Sequence, residues 1–364
     1  MLKITNNQEL SSFNTFRMRS RCNTFVEFDS VADFFELDFE ELPKPIIALG
    51  GGSNVLFTKN FDGTILFSKI DFIEVIEEES TSSSESLPFA ADKVLVSVGS
   101  GVELDSLCQW AAQQGYWGLE NLSYIPGKVG ASAVQNVGAY GVEAKDVIKT
   151  VCCFDIEEEE FFKVDAKDCD FDYRYSAFKH PEIKGRYIIT HIIFELSKTP
   201  SPKLDYGHLK ERVESEGAEL TPMLIREVVT AIRKEKLPEV REVGSVGSYF
   251  TNPIITPEEF KKVEKVVLED AKTDALHLET QVPHYLINHE GIDLVKLSAA
   301  WLIDYCGWKG YAEGNVAVYE KQPLVLINAT GKARAAEILE LEEKIVSSIK
   351  EKFGVELEPE VEKI

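Results

Sequence analysis

The chain has 364 residues, 44% of them hydrophobic, and a formal net charge of −23. That length predicts two or three domains with material for substantial cores. The acidic surplus excludes a broad electrostatic grip on nucleic acid or an anionic membrane, so a phosphorylated ligand has to be met by locally clustered Lys and Arg.

The opening MLKITNNQELSSF lacks the continuous apolar region of a signal peptide, and no run is long enough to span a bilayer, which predicts a cytoplasmic protein. A polar NTFRMR (14–19) precedes a strand over 24–28. DSVADFFELDFEEL reads as helical, with Asp29 or Ser30 as N-cap. An apolar strand over 46–49 then breaks into Gly50-Gly51-Gly52-Ser53-Asn54 and resumes at Val55. This is a phosphate-loop candidate, with a plain glycine-rich hairpin turn as its equal alternative. It has neither the GK[ST] ending of a Walker loop nor G-x-G-x-x-G spacing. The acidic, Ser-rich segment 77–86 reads as an exposed hairpin tip without chemistry. A strand over 94–98 leads into an amphipathic helix over 104–115, ended by Gly115.

The most informative stretch is 119–141, LENLSYIPGKVGASAVQNVGAYG. Its glycines Gly127, Gly130, Gly138 and Gly141 alternate with the small Ala131, Ser132, Ala133 and Ala139 and the hydrogen-bonding Asn121, Gln135, Asn136 and Tyr140. Glycine permits close backbone approach and positive φ, and amides freed that way cradle anions where a turn feeds a helix. The stretch is read as a loop wrapping a large phosphorylated cofactor. Short alternating strands follow over 147–154 and 161–164, then DYRYSAFK and the strand YIITHIIFELS. From about residue 220 come a helix over 223–234 with Arg233, Lys234 and Lys236 clustered at its end, REVGSVGSYFTNP, VPHYLINHEG, a helix LVKLSAAWLIDYCG, a strand PLVLIN and a helix over 333–353 with Ile338, Leu341, Ile345 and Ile349 on one face. Strands, glycine turns and helices in this order predict an α+β architecture. Cys22, Cys108, Cys152, Cys153, Cys169 and Cys306 show neither C-x-x-C nor a His at ligand spacing, so reduced thiols and no metal site are expected.

NTFRM (14–18), LGGGSNVLF (49–57), GLENLSYIPGKVGASAVQNVGAYGVE (118–143), YRYSAFK (173–179), KLPEVREVGSVGSYFTNP (236–253), WLIDYCGWKG (301–310) and LEPEV (357–361) together resemble, in order and over nearly the whole chain, the UDP-N-acetylenolpyruvoylglucosamine reductase family. The resemblance is to the longer form, whose Tyr-bearing loop (here Leu204-Asp205-Tyr206-Gly207) closes over substrate. It implies a two-subdomain FAD-binding fold of the vanillyl-alcohol-oxidase (PCMH) type over residues 1–200, with subdomains about 1–70 and 71–200. A C-terminal α+β substrate domain would span 201–364.

The implied reaction passes a hydride from NADPH to non-covalent FAD and from the flavin to an enolpyruvyl UDP-sugar, as a step of peptidoglycan precursor synthesis by a monomer. Ser248 would protonate C2, Glu360 would stabilise or protonate the enolic intermediate, and Arg174 would hold the substrate carboxylate. Gly50, Gly51, Gly52, Ser53, Asn54, Asn121, Ile125, Pro126, Gly127, Gly130, Ala131, Ser132, Gln135, Asn136, Gly138, Ala139 and Tyr140 would line the cofactor. Lys236 and Asn252 would contact the nucleotide diphosphate with Arg233 adding charge, while Tyr206 and Tyr285 would cover it. Tyr175 and Tyr305 depart from the Asp and Gln of better-known members, and Glu360 lies so near the chain's end that something has to hold it. An alcohol or hydroxy-acid oxidase on the same cofactor fold would leave Ser248, Lys236 and Glu360 without roles. A non-catalytic flavin-binding module is separated by an assay of turnover.

Overall fold

The computed structural model describes residues 1–76, 92–273, 281–289 and 291–364; the segment read as a hairpin tip, 77–86, lies outside them. In chain order the elements are β1 (Lys3–Glu9), β2 (Arg21–Phe28), β3 (Ile46–Leu49), β4 (Val55–Leu56), β5 (Phe61–Ser68), β6 (Ile73–Ile76), β7 (Lys93–Gly99), α1 (Leu104–Gln113), α2 (Val129–Gln135), β8 (Gly138–Ala139), β9 (Val142–Glu143), β10 (Ile148–Asp155), β11 (Glu160–Asp165) and β12 (Tyr187–Ser197). They continue with α3 (Leu209–Ser215), α4 (Pro222–Lys236), β13 (Gly244–Ser245), β14 (Ile254–Ile255), α5 (Pro257–Thr273), β15 (His284–His289), β16 (Ile292–Leu297), α6 (Ala299–Tyr305), β17 (Ala312–Glu313), β18 (Val316–Val318), β19 (Leu326–Asn328), α7 (Ala335–Phe353) and β20 (Glu362–Lys363).

Contacts divide the chain into two compact units: Met1–Glu9, Arg21–Gly52 and Asn60–Lys234 form the first, and Leu10–Ser20, Ser53–Lys59 and Glu235–Ile364 the second. Residues 201–234, expected in the C-terminal domain, therefore pack with the first unit, and two short N-terminal segments belong to the second. The first unit has one sheet in the order β1-β2-β5-β3 and another in the order β11-β10-β12-β7-β6. β5 runs parallel to β2 and β3, and its Thr64, Ile65 and Leu66 are buried, as expected of a strand covered on both faces. The second sheet is antiparallel throughout, and alternate residues of β7 (Val94, Val96, Val98) join the core that α1 and α2 cover. Between the sheets' residues, Phe34 stacks on Phe154 with centroids 4.7 Å apart and planes at 4°.

The segment read as a helix over 29–42 holds only a 3-10 turn, Val31–Glu36. Ser30 and Asp33 form a reciprocal capping box that starts it, but Leu37 is extended, and Asp38 draws the N–H groups of Glu40 and Glu41 into a turn. Phe34 is committed to the aromatic core, so the apolar positions serve a turn docked on Phe28, Phe39 and Phe154.

The second unit has a sheet in the order β13-β19-β18-β17 and a three-stranded β14-β16-β15. The stretch read as one helix over 294–307 is divided: β16 ends at Leu297, and Ser298 caps α6 by accepting from the Trp301 N–H at 3.2 Å. Helix α7 buries Ile338, Leu341, Ile345, Ile349 and Phe353, and Gly354 ends it in the left-handed conformation. The cysteines are free thiols, all buried except the half-buried Cys306. Among the described residues, no helix is long and apolar enough to cross a membrane, and no three His, Cys, Asp or Glu are grouped to hold a metal.

Candidate active site

In the first unit the two glycine-rich stretches meet. A Cβ added at Gly51 would lie 2.8 Å from the Cα of Gly127, and one at Gly50 would lie 2.8 Å from the Cβ of Ala131. Only glycine allows this apposition, which lays Gly50 and Gly51 against Gly127 and Ala131 with almost no side-chain bulk. A dinucleotide pyrophosphate needs that close approach of backbone, so the residues present fit FAD. Gly130 serves packing instead, since its added Cβ would meet Ser100 at 2.8 Å.

The stretch read as a wrapping loop contains α2, whose last turn is closed by Asn136 at φ 43°. Several of its polar residues are spent on the protein itself. Asn136 donates to Glu143 (3.0 Å) and the Asp172 carbonyl (2.8 Å) and accepts from the Lys145 N–H (3.0 Å). Ser132 bonds back to the Val129 carbonyl, and the buried Asn121 donates to the carbonyls of Tyr140 and Lys203. These three side chains shape the loop; Ile125, Gly138, Ala139, Gln135 and Tyr140 line its remaining course and are half-buried.

Arg174 sits at the tip of a tight turn closed by reciprocal Asp172–Tyr175 backbone bonds, at φ 57°. Its guanidinium donates to the Gly138 carbonyl at 2.9 Å and lies over the Tyr173 ring, which aims it along the β8–β9 hairpin. Tyr175 contributes its backbone to that turn, where the family pattern has Asp. Tyr206 is 45% exposed, and its ring meets Tyr140 edge to face at 6.0 Å.

Arg233 donates from Nε to the Tyr124 carbonyl at 3.1 Å, and burial lowers its pKa from the usual guanidinium value. The same Tyr124, at φ 59°, gives its N–H to Asp105 at 2.6 Å, and Asp105 takes a bidentate bond from Arg226, two helical turns before Arg233. Burial pushes the Asp105 carboxyl up, but the Arg226 guanidinium and Tyr124 N–H outweigh it and hold the group below the ordinary carboxylate range. The Asp105–Arg226 pair leaves no signal in the sequence; the partners are far apart along the chain, and neither belongs to a recognisable motif.

In the second unit the C-terminal segment is a strand-like partner of the Ser248 segment. The Glu360 N–H donates to the Tyr249 carbonyl at 2.8 Å, and Phe250 bridges Pro359. The segments carrying Ser248 and Glu360 thereby run side by side, and both residues are half-buried. The fully buried Tyr249 anchors the pair through its hydroxyl, which donates to Glu342 at 2.7 Å. Glu360 is held from the other side too: Asn54 donates to its carbonyl at 3.1 Å, β20 pairs in parallel with β4, and the Ile364 carbonyl accepts from Thr58. Asn54 thus braces the C-terminal segment, and Ser53 belongs to the same unit.

NTFRM also proves to be a brace. The Asn14 carboxamide closes its own loop onto Leu10 and Met18, Arg17 bonds the carbonyls of Val240 and Arg241, and Thr15 accepts from the Ser245 N–H just upstream of Ser248. Asn252 accepts from the Ala299 N–H at 2.9 Å and so starts α6. Lys236 is exposed at the end of α4, and Tyr285 is 55% exposed on β15. Tyr305 does not present its hydroxyl as a nucleotide contact; it bonds Asp270 and stacks among Trp301 and Phe353. Arg174, Tyr206 and Arg233 belong to the first unit, and Ser248, Glu360, Lys236, Asn252 and Tyr285 to the second.

Residues 38–157 match a family described as an FAD binding domain, and the glycine surface lies within that span, so the class is that of a flavoprotein oxidoreductase. Residues 238–364 match the family described as UDP-N-acetylenolpyruvoylglucosamine reductase, C-terminal domain. A protein of that name from Bacteroides fragilis is 41% identical over 97% of both chains, and one from Porphyromonas gingivalis is 35% identical over 100% of both. The crystal structure of the Thermus caldophilus reductase (MurB) superposes with a TM-score of 0.62, covering 100% of this chain and 98% of that one at 21% identity. The chain belongs to the UDP-N-acetylenolpyruvoylglucosamine reductase family.

Proposed function

We propose that this chain reduces the enolpyruvyl group of UDP-N-acetyl-3-O-(1-carboxyvinyl)-glucosamine to give UDP-N-acetylmuramate, with non-covalent FAD and with NADPH as hydride donor. Family membership over the full length supports the reaction. The observation in this chain that supports the site is the Tyr249–Glu360 backbone bond, which joins the segments carrying Ser248 and Glu360. Bound FAD supplies the hydride exchange between NADPH and the substrate double bond.

Hydride arriving at C3 leaves negative charge on C2 and its carboxylate. Arg174 offers a planar, permanently charged fork suited to that carboxylate. Ser248 Oγ donates the proton to C2 and is reprotonated from solvent. A serine hydroxyl is a weak acid, and Glu360 stabilises or protonates the enolic intermediate. Lys236 and Arg233 supply the local positive charge that an acidic protein needs to hold a diphosphate, while Tyr206 and Tyr285 cover the nucleotide. Both substrates are highly charged nucleotides, which supports a cytoplasmic site of action.

The test is NADPH oxidation by the purified, yellow protein. It should depend on the enolpyruvyl sugar nucleotide and stop in its absence. Turnover with a simple alcohol or hydroxy acid, and none with the sugar nucleotide, would replace this reading with the oxidase one.

A further inference from the structure

Asn121 lies in the 3-10 turn Glu120–Leu122 with 0% of its surface exposed. Its Nδ2 donates to two carbonyls at 2.8 Å each, Tyr140 on the β8–β9 turn and Lys203 on the segment that enters the Tyr206 loop. Two carbonyl acceptors require the nitrogen, not the oxygen, to face them. Among the described residues Oδ1 has no hydrogen-bond partner, and the polar contacts that this side chain makes there are the two donations. Both segments that it joins are conformationally demanding: Tyr140 stands at φ 49°, Gly141 at φ 80° and Gly207 at φ 57°.

The loop that begins at Lys203 is laid directly against the Tyr140 turn. The Tyr140 and Tyr206 rings are perpendicular at 83°, and a Cβ added at Gly141 would lie 3.5 Å from the Tyr206 Cβ. Leu204 and Tyr140 pack on one apolar cluster with Trp117, Leu209 and Ile225. One buried carboxamide therefore sets the distance between the glycine-rich cofactor stretch and the base of the Tyr206 loop.

We propose that Asn121 is a positioning residue, a two-donor clip that holds the Tyr206 loop over the β8–β9 turn and so presets it for the sugar-nucleotide substrate. This rests on the reading of Tyr206 as a substrate-covering residue. Without the Asn121 donor the Lys203 carbonyl would draw its segment outward toward water, because a buried acceptor that loses its donor is costly. Binding would then have to re-order the loop, and the penalty falls on substrate affinity, not on the first half-reaction.

The experiment compares the FAD-loaded wild type with Asn121→Ala. The variant should show a KM for the enolpyruvyl sugar nucleotide raised about tenfold, the scale of one lost hydrogen bond. The rate of flavin reduction by NADPH should stay within about twofold of wild type. Tryptic cleavage after Lys203 should accelerate, while cleavage after Lys210 should not, and added UDP should slow the former. If the alanine variant does not fold, Asn121→Ser keeps one donor and should fall between the two in both readouts. A serine or alanine variant with wild-type KM and wild-type cleavage after Lys203 overturns the proposal, as does equal loss in both half-reactions. Tyr206→Ala separates the two failures. A wild-type KM there defeats the covering role and with it the effect on substrate, whereas cleavage after Lys203 reports the clip whether or not the loop touches substrate.

Discussion

Glu360 gives its backbone N–H to the carbonyl of Tyr249 at 2.8 Å, one residue beyond Ser248, so the two segments that carry the proposed acid and the proposed carboxylate are joined by a backbone bond. The hydroxyl of the same Tyr249 is anchored on Glu342, and burial and that carboxylate push its pKa far above the ordinary phenol value. Tyr249 is therefore a fixed neutral post between the Ser248 segment and the C-terminal segment.

Ser248→Ala should leave flavin reduction by NADPH near wild type in stopped flow, since that step requires no proton at substrate C2. Reoxidation by the enolpyruvyl substrate should fall by about 10²–10⁴-fold, the scale of a positioned acid. Ser248→Cys should recover part of the rate, because a thiol is the stronger acid and similar in size. Reoxidation of the alanine variant at the normal rate would remove Ser248 from the chemistry.

Asn54→Ala removes the bond that holds the Glu360 carbonyl and should cost about 1 kcal/mol of stability, read in denaturant. It should also lower kcat while leaving FAD affinity, measured by flavin fluorescence, unchanged. A large loss of FAD with intact kcat in the loaded enzyme would return Asn54 to the cofactor.

The features legible in the sequence were local and periodic. Helix α7 followed from Ile338, Leu341, Ile345 and Ile349, and the strands of the second sheet from their apolar runs. The helix over 294–307 failed because Leu294, Val295 and Leu297 suit a strand as well as a helix, and Ser298 decides the boundary. The glycines were visible, but their partners were not: that Gly51 meets Gly127 is a tertiary fact with no pattern in either stretch alone. Asn54, Asn121, Asn136 and Asn252 read as ligand contacts because amides suit heterocycles and phosphates. Each also satisfies backbone or side-chain groups of the protein itself. Motif residues can mark structural bracing as readily as chemistry, and only geometry separates the two.

Asp105 and Arg226 make a pH-dependent contribution whose sign is fixed by the depressed carboxyl. The unfolded Asp titrates near about 3.9 and the folded one lower, so the stabilisation is present above the unfolded value and is lost as pH falls through the folded one. Asp105→Asn keeps an acceptor for the Tyr124 N–H but not the charge. In urea titrations the wild type should exceed it in stability at pH 7, and the gap should narrow below about pH 4. A gap that is constant down to about pH 2 would mean the pair contributes nothing as an ion pair.

Gly51→Ala tests the glycine surface. The new Cβ would sit 2.8 Å from the Gly127 Cα, closer than carbon atoms approach, and backbone cannot swing aside as a side-chain tip can. The two stretches must separate by several tenths of an ångström, which costs packing and spoils the shared surface on which the dinucleotide would lie. Ligand that binds only the folded state stabilises it by RT ln(1 + [L]/Kd), so the effect is visible without turnover. In the wild type, added FAD should raise Tm by several degrees; in Gly51→Ala the apo Tm should fall modestly and the FAD-induced rise should shrink or vanish. The control is Gly331→Ala: Gly331 has φ 72°, and nothing lies within 4 Å of its added Cβ, so that variant should lose apo stability through backbone strain yet keep the FAD-induced rise. A Gly51→Ala variant that keeps the full rise, or a Gly331→Ala variant that loses it, would detach flavin binding from the Gly51–Gly127 contact.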